Sequence, residues 1–352
     1  MIKGSLTIED VAKAAGVSRQ TVSRVINRRN NVKDSVRKRV EAAIDELGYV
    51  PTAAARRMGG ARSYLLLAVI GRGAGAAGAG ARTGRLPLDA MLLAGLESCS
   101  AAGYHILFEQ LETDREASHA QFNRALTALS PDGVILTPPL EERVDLRASV
   151  DHRNIALECL GERVEFGRAV PGIDDGALGE SATRHLLKLG HRQIGFVTGS
   201  SDPRRSDRRL VGYRRVMAQS GSRAHRHFTA DGRLGFAEAV ALAKSWLAPT
   251  IRPTAIIAET EEVALAILDV ARELKIAVPR DLSLLSLEER ASLSRATPAV
   301  SALFQPYERL FRSCCEKLIA RAEKSAAPDP DDAGDAFELI ERKSLAKAPR
   351  VV

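Results

Sequence analysis

The sequence predicts an all-α helix-turn-helix headpiece followed by an α/β core of two doubly wound lobes. Short amphipathic helical segments fill about the first 50 residues, and from about residue 64 short apolar strands alternate with helices in two successive series. At 352 residues, 45% of them apolar, the chain is long enough to bury a sizeable core. It contains no apolar run of about eighteen residues and begins without an apolar signal segment, so we expect a cytoplasmic protein with no membrane span.

Residues 7–27 are typical of two short helices joined by a tight turn. Thr7 is a suitable N-cap for the first helix, Asp10 stands where a capping box needs an acid, and Gly16 permits the sharp turn. Ser18 can cap the second helix, whose valine and isoleucine side chains recur at the spacing of one buried face. Its outer face carries side chains of the kind that contact base edges and phosphates: Arg19, Gln20, Thr21, Ser23, Arg24 and Asn27. The pattern favours a DNA-reading motif over a helical hairpin with a merely solvated polar face.

The following segment extends this pattern. Residues 34–47 form a third predicted helix with one apolar stripe, ended by Gly48, and a Tyr-x-Pro exit and an Ala/Arg-rich hinge follow in order. The whole run resembles the headpiece and hinge of the lactose-repressor (LacI/GalR) family. This resemblance implies a DNA-binding headpiece over residues 1–50 and a hinge helix or linker over 51–62. The implied DNA contacts are Thr7, Ser18, Arg19, Gln20, Thr21, Ser23, Arg24, Asn27, Arg57 and Met58.

The distribution of charge supports the same interpretation independently. Residues 1–62 hold 13 Lys and Arg against 6 Asp and Glu, a net charge of +7 that equals the net charge of the whole chain. The rest of the chain is therefore balanced. A basic headpiece beside a neutral core is the electrostatic pattern expected of a protein that contacts the phosphate backbone through one segment.

The later segments resemble the periplasmic-binding-protein-like core of the same family. The matching stretches are DGVIL at 132–136, ATRHLLKLGHRQIGFVTG at 182–199, RRLVGY at 208–213, VPRDLSLLS at 278–286, TPAVSALFQP at 297–306 and FELIERKSL at 337–345. The resemblance implies an effector-binding and dimerisation core over 63–345. Its first lobe is expected over about 63–172 and 299–324, and its second over about 173–298 and 336–345.

A ligand pocket is expected between the lobes, because ligands of doubly wound sheets bind at the carboxyl ends of the strands. Arg209, in RRLVGY, matches the family's ligand-binding arginine, whose fork of donors can grip hydroxyls or a carboxylate. Glu288 stands where the family usually has an aspartate, and we expect it to converge with Arg209 on one polar ligand. The implied effector contacts are Thr137, Arg209, Thr260, Glu261, Glu288 and Tyr307.

One motif points to a different class of protein. The letters GAGAAG at 73–78 follow a predicted strand and fit a dinucleotide-binding turn, which would suggest a nucleotide-dependent oxidoreductase. No helix opens directly after Gly78, and the acidic residue expected about twenty positions further on is missing, so a glycine-rich loop is the favoured interpretation. No catalytic pairing or metal-ligand spacing stands out elsewhere, and we predict a protein that is not an enzyme and holds neither metal nor cofactor.

The resemblance therefore implies a homodimeric transcriptional regulator that binds a palindromic operator in double-stranded DNA on the nucleoid. We expect a repressor of carbohydrate uptake or catabolism genes whose operator affinity responds to a small effector, a sugar or sugar derivative. A regulator that needs a corepressor is the alternative within the family. The chain shows no terminal leucine heptad of the kind that makes tetramers, which favours a dimer.

Overall fold

The computed structural model describes residues 6–26, 32–49, 62–71, 87–161, 164–165, 168–169, 172–199, 203–222, 228–230, 234–249, 252–325 and 337–349. The predicted DNA contacts Asn27, Arg57 and Met58, the other hinge residues from 51 to 61 and the glycine motif at 73–78 lie outside these ranges. Within the described residues, no helix combines the length and the apolar character needed to span a membrane.

Three helices form the headpiece, as predicted. They are α1 (Ile8–Ala15), α2 (Arg19–Ile26) and α3 (Asp34–Leu47). Val11, Val22 and Val40 are fully buried where the three helices meet, and Tyr49 closes this small core at 4% exposure. The apolar residues of each helix therefore share one face, and the polar residues between them are turned outward.

The first lobe is built on a four-stranded parallel sheet in the order β2-β1-β3-β4. The strands are β1 (Leu65–Gly71), β2 (His105–Leu111), β3 (Gly133–Leu136) and β4 (Ala156–Cys159). The helices along this part of the chain are α4 (Leu88–Ala101), α5 (Arg115–Leu129) and α6 (Val144–Asp151), with a 3₁₀ turn at Leu140–Glu142. A short antiparallel pair, β5 (Val164–Glu165) and β6 (Arg168–Ala169), follows the lobe.

The second lobe is built on a six-stranded sheet in the order β12-β11-β10-β9-β7-β8, parallel except at β12. The strands are β7 (Ile194–Val197), β8 (Thr229–Ala230), β9 (Ala255–Ala258), β10 (Ser283–Ser286), β11 (Ser301–Phe304) and β12 (Glu338–Ile340). The helices of this lobe are α7 (Asp175–Lys188), α8 (Pro203–Gln219), α9 (Phe236–Leu247), α10 (Glu261–Glu273) and α11 (Ala291–Arg295), and the chain then forms α12 (Tyr307–Glu323), which packs on the first lobe.

The structure corrects one predicted lobe boundary. The sequence assigned 299–324 to the first lobe, but β11 pairs with β10 and β12 in the second sheet, and Val300 and Ala302 are buried in the second lobe's core. Only α12 returns to the first lobe, where it packs against α4 and the strands β3 and β4. The strand belongs to the second lobe because its apolar residues fill that core and its backbone joins a ladder on each side.

Two glycines bring α7 and α8 into direct backbone contact. A side chain at Gly179 would collide with the carbonyl oxygen of Arg209, and one at Gly212 would collide with the carbonyl oxygen of Gly176. Only glycine permits this approach, because it lacks a Cβ atom. The close crossing holds the start of α7 beside the first turns of α8, where the candidate ligand residues lie.

Candidate functional site

The first candidate site is the outer face of the headpiece. Thr7 and Asp10 form the predicted capping box: the Asp10 N–H donates to Thr7 Oγ1 at 3.4 Å and the Thr7 N–H donates to Asp10 Oδ2 at 2.8 Å. Gly16 adopts φ 62°, the left-handed conformation that the turn requires. Ser18 caps α2 by accepting from the Thr21 N–H at 3.2 Å. These local bonds fix the angle at which α2 leaves the turn.

None of the predicted recognition residues from 18 to 24 is buried, whereas Val22 and Val25 of α2 are, and Thr21 is half-buried. Ser18, Arg19, Gln20 and Arg24 are exposed, and Ser23 is half-buried. Arg19 Nε lies 3.2 Å from Glu9 Oε1, but both side chains are more than half exposed. A pair so exposed contributes at most about 1 kcal/mol, so this contact leaves Arg19 able to exchange Glu9 for a base or a phosphate.

The second candidate site is a buried ionic network where the two lobes meet. Arg209 on α8 is 2% exposed and donates from Nε to Asp175 Oδ1 at 2.7 Å and from Nη1 to Glu259 Oε1 at 2.9 Å. Asp175 begins α7, and Glu259 directly follows β9. The guanidinium group therefore joins a helix start to the carboxyl edge of the second sheet.

Two further groups hold Glu259 on its other oxygen. The Gly199 N–H and the Ser206 hydroxyl both donate to Glu259 Oε2 at 2.7 Å. Gly199 follows β7, the neighbour of β9 in the sheet, so the parallel pairing brings its N–H to the same edge as Glu259. Glu259 has no exposed surface and can be buried as an anion only because these donors surround it.

The network reaches the first lobe through Arg205, one turn before Arg209 on α8. Arg205 donates from Nε to Asp175 Oδ2 at 2.8 Å and is hydrogen bonded from Nη2 to the Tyr307 hydroxyl at the start of α12. Its Cζ atom also lies 5.7 Å from the centre of the Tyr307 ring. Nearer the surface, Arg204 and Arg208 pair with Glu142 of the first lobe. One face of α8 thus links the two lobes.

The other predicted effector residues of the second lobe, Thr260, Glu261 and Glu288, follow the strands β9 and β10 at the same edge of the sheet as Glu259. Thr260 caps α10 by accepting from the Val263 N–H at 3.4 Å. The Glu261 N–H donates to Glu288 Oε2 at 3.3 Å, and the Glu261 carboxylate accepts from the Ser292 hydroxyl. Glu288 is partly buried, and it follows β10, the next strand of the sheet.

Thr137 is differently placed. Its side chain is fully buried, and its hydroxyl donates to the Val69 carbonyl oxygen at 2.9 Å, within the first sheet. The contacts described for Thr137 therefore tie it to the sheet rather than to the Arg209 network.

The convergence of Arg209 and Glu288 on one polar ligand stays a prediction, and in the structure Arg209 has carboxylate partners that the sequence did not indicate. Arg209 binds Asp175 and Glu259, neither of which was among the predicted site residues. Arg205 was also missed, although its spacing of four residues from Arg209 puts both on one face of α8. Glu259 could have been noticed as the residue that directly follows a fully buried strand, the usual position of ligand-binding groups in such sheets.

The pKa values in this region reflect burial and charge together. Burial acts to raise the pKa of Asp175, but Arg205 and Arg209 outweigh it and hold that pKa below the usual range. Burial acts to lower the pKa of Arg209, and its carboxylate partners raise it above the ordinary value. Burial raises the pKa values of Glu288 and Tyr307. The charged forms of Asp175 and Arg209 are therefore favoured, whereas burial disfavours the charged form of Glu288.

Comparison with known proteins agrees with this two-part architecture. A family model described as bacterial regulatory proteins, lacI family, matches residues 7–52, and one described as a periplasmic binding protein-like domain matches residues 183–345. The chain is 28% identical over 354 residues to the HTH-type transcriptional repressor PurR of Erwinia tasmaniensis, with 97% of this chain and 98% of that protein covered. It is 27% identical over 321 residues to the ribose operon repressor of Escherichia coli, with 90% and 92% covered.

The fold also matches a solved structure. The lac repressor dimer bound to operator and the anti-inducer ONPF superposes with a TM-score of 0.74 at 22% identity, covering 97% of this chain and 99% of that one. The likeness therefore extends from the headpiece through both lobes.

Proposed function

Because this chain belongs to the LacI family of bacterial regulatory proteins, we propose that it represses transcription by binding an operator, with an affinity set by a small ligand between its lobes. The proposal rests on the presence of two features in one chain: an exposed recognition face on α2 and a polar network that spans the two lobes. A ligand that favours one lobe arrangement changes the spacing of two paired headpieces, and hence their operator affinity. The protein would act where its operator lies, on the nucleoid.

The effector we propose is a sugar or a sugar derivative, and the target genes are those of carbohydrate uptake or catabolism. Carboxylates such as Glu261 and Glu288 accept hydrogen bonds from hydroxyl groups, which suits a polyhydroxylated ligand. One similar protein is a ribose operon repressor, which supports this class of gene. Titration of effector against operator binding gives the sign of regulation: an inducer lowers the affinity and a corepressor raises it.

We further propose a homodimer that pairs through α4. Met91, Ala94 and Cys99 on this helix are buried in the first lobe, whereas Leu92, Leu93 and Leu96 on its other face are 40%, 55% and 54% exposed. An exposed leucine face of this kind is typical of an interface with a second copy. A dimer presents two headpieces to two half-sites, which is why the operator is expected to be palindromic.

Selection of bound sequences from a random DNA pool tests the DNA-binding function. The protein should enrich a palindrome, and replacement of Arg19 and Gln20 with alanine should change the preferred bases, at about 1–3 kcal/mol for each good bidentate contact. Lys13→Ala is the matched control, because Lys13 is an exposed cation of α1 outside the recognition face. It should leave the ranking of sequences unchanged. Failure to enrich any sequence would contradict the proposed function.

A further inference from the structure

We propose that Glu259 determines the charge of the ligands that the cleft accepts: its carboxylate takes the place of an anion on Arg209 and so excludes anionic effectors. The inference rests on the proposed function for treating the cleft as an effector site. The geometry of Glu259 itself is independent of that function.

Glu259 is bound as a small anion would be. Its two oxygens receive a guanidinium N–H of Arg209 at 2.9 Å, the Ser206 hydroxyl at 2.7 Å and the Gly199 backbone N–H at 2.7 Å. A guanidinium group, a hydroxyl and a strand-end amide are the donors that proteins present to carboxylates and phosphates. Here the acceptor is supplied by the chain, and it is completely buried.

The charges in the network cancel. Arg205 and Arg209 contribute two positive charges, and Asp175 and Glu259 contribute two negative ones. A carboxylate or phosphate arriving in the cleft would meet no net positive charge here, and it would have to displace Glu259 into an unpaired buried state. Leaving a buried charge unpaired is costly, whereas an uncharged hydroxyl ligand imposes no such displacement. Arg209 is therefore expected to favour neutral ligands.

Replacement of Glu259 by alanine provides a direct test, because it deletes a group with the size and charge of acetate. The full-length Glu259→Ala protein is unfolded thermally in sodium acetate and in sodium chloride at equal ionic strength, beside the unsubstituted protein. We expect acetate to bind the variant at least about tenfold more tightly than it binds the unsubstituted protein, which corresponds to about 1.4 kcal/mol. Acetamide, which has the same shape without the charge, should give no such gain.

Two matched variants show whether the effect passes through Arg209. Glu259→Asp keeps a carboxylate in place and should gain little affinity for acetate. The double variant Glu259→Ala/Arg209→Gln lacks the guanidinium group and should gain none. Equal stabilisation of the double variant and of Glu259→Ala would overturn the proposal, as would acetate binding by the unsubstituted protein at the affinity of Glu259→Ala.

Recovery of folded protein supplies a second measurement if Glu259→Ala is unstable. We then expect soluble, folded Glu259→Ala protein to be recovered in acetate and lost in chloride. Loss of the folded protein in both salts would overturn the proposal. Operator selection by the unsubstituted chain tests the proposed function separately. A chain that binds no operator but shows the acetate effect would refute the regulatory function and leave the role of Glu259 standing.

Discussion

Replacing Asp175 with asparagine measures how much the buried network stabilises the fold. Asp175 is 2% exposed and accepts from Arg209 Nε at 2.7 Å and from Arg205 Nε and Nη2 at 2.8 and 3.3 Å. Asparagine keeps the shape but removes the charge that neutralises two guanidinium groups, whose side chains are only 12% and 3% exposed. Removing one partner of a buried ion pair costs about 3–5 kcal/mol, so we expect a loss of that size.

Equilibrium unfolding in urea is the assay. With an m-value of about 3 kcal/mol/M, the unfolding midpoint of Asp175→Asn should fall by about 1–1.7 M. The pKa of Asp175 in the folded protein is held below the ordinary value of 3.8. The contribution of Asp175 to the free energy of unfolding is therefore complete above pH 3.8 and is lost only as the pH falls through the lower folded pKa. The difference between the two proteins should therefore be constant from about pH 5 to 8.

Glu180→Gln is the matched control for this measurement. Glu180 lies on the same helix, α7, and also binds two arginines, but Arg184 and Arg215 are 51% and 60% exposed. We expect a smaller loss of about 1–2 kcal/mol, because both arginines stay in contact with solvent although the Glu180 side chain itself is only 11% exposed. If Asp175→Asn costs no more than Glu180→Gln, the argument that burial gives the network its stabilising effect is refuted.

Three further predictions follow from the hinge, the dimer face and the cleft. Met58→Ala should weaken operator binding and spare the salt-sensitive binding to random DNA, because an apolar side chain wedged between bases acts only at the specific site. Equal losses of affinity for operator and random DNA in a titration would show that Met58 is not such a wedge. Leu93→Glu should change the sedimentation at micromolar concentration from that of a dimer to that of a monomer, because it puts a charge in the leucine face of α4. A variant that still sediments as a dimer would show that this face is not the dimer interface. Glu288→Gln should raise the melting temperature at pH 7 but not below about pH 4. Burial raises the pKa of Glu288 in the folded protein, so this residue costs stability only at pH values where its carboxylate is ionised. An equal gain in melting temperature at both pH values would show that the gain does not come from removing the buried charge.

The headpiece could be predicted from sequence because its interactions are local. The capping box of Thr7 joins residues three apart, the left-handed turn needs only Gly16, and the buried valines recur at the period of one helix. The alternation of strands and helices was predicted for the same reason, since each strand carries its own apolar run. The family resemblance then placed Arg209, Glu288 and Tyr307 near the cleft.

The sequence by itself determined the class of fold, the exposed reading face of α2 and the concentration of positive charge in the headpiece, because each is a property of neighbouring residues or of composition. Only the tertiary structure decided that β11 belongs to the second sheet, because an apolar segment as short as β11 could pair with the sheet of either lobe. It also decided the partners of Arg209. Asp175 and Glu259 are 34 and 50 residues away along the chain, and they reach it because glycines let α7 touch α8 and because β7 pairs with β9. Local patterns cannot specify such a meeting, because it depends on how separate elements pack.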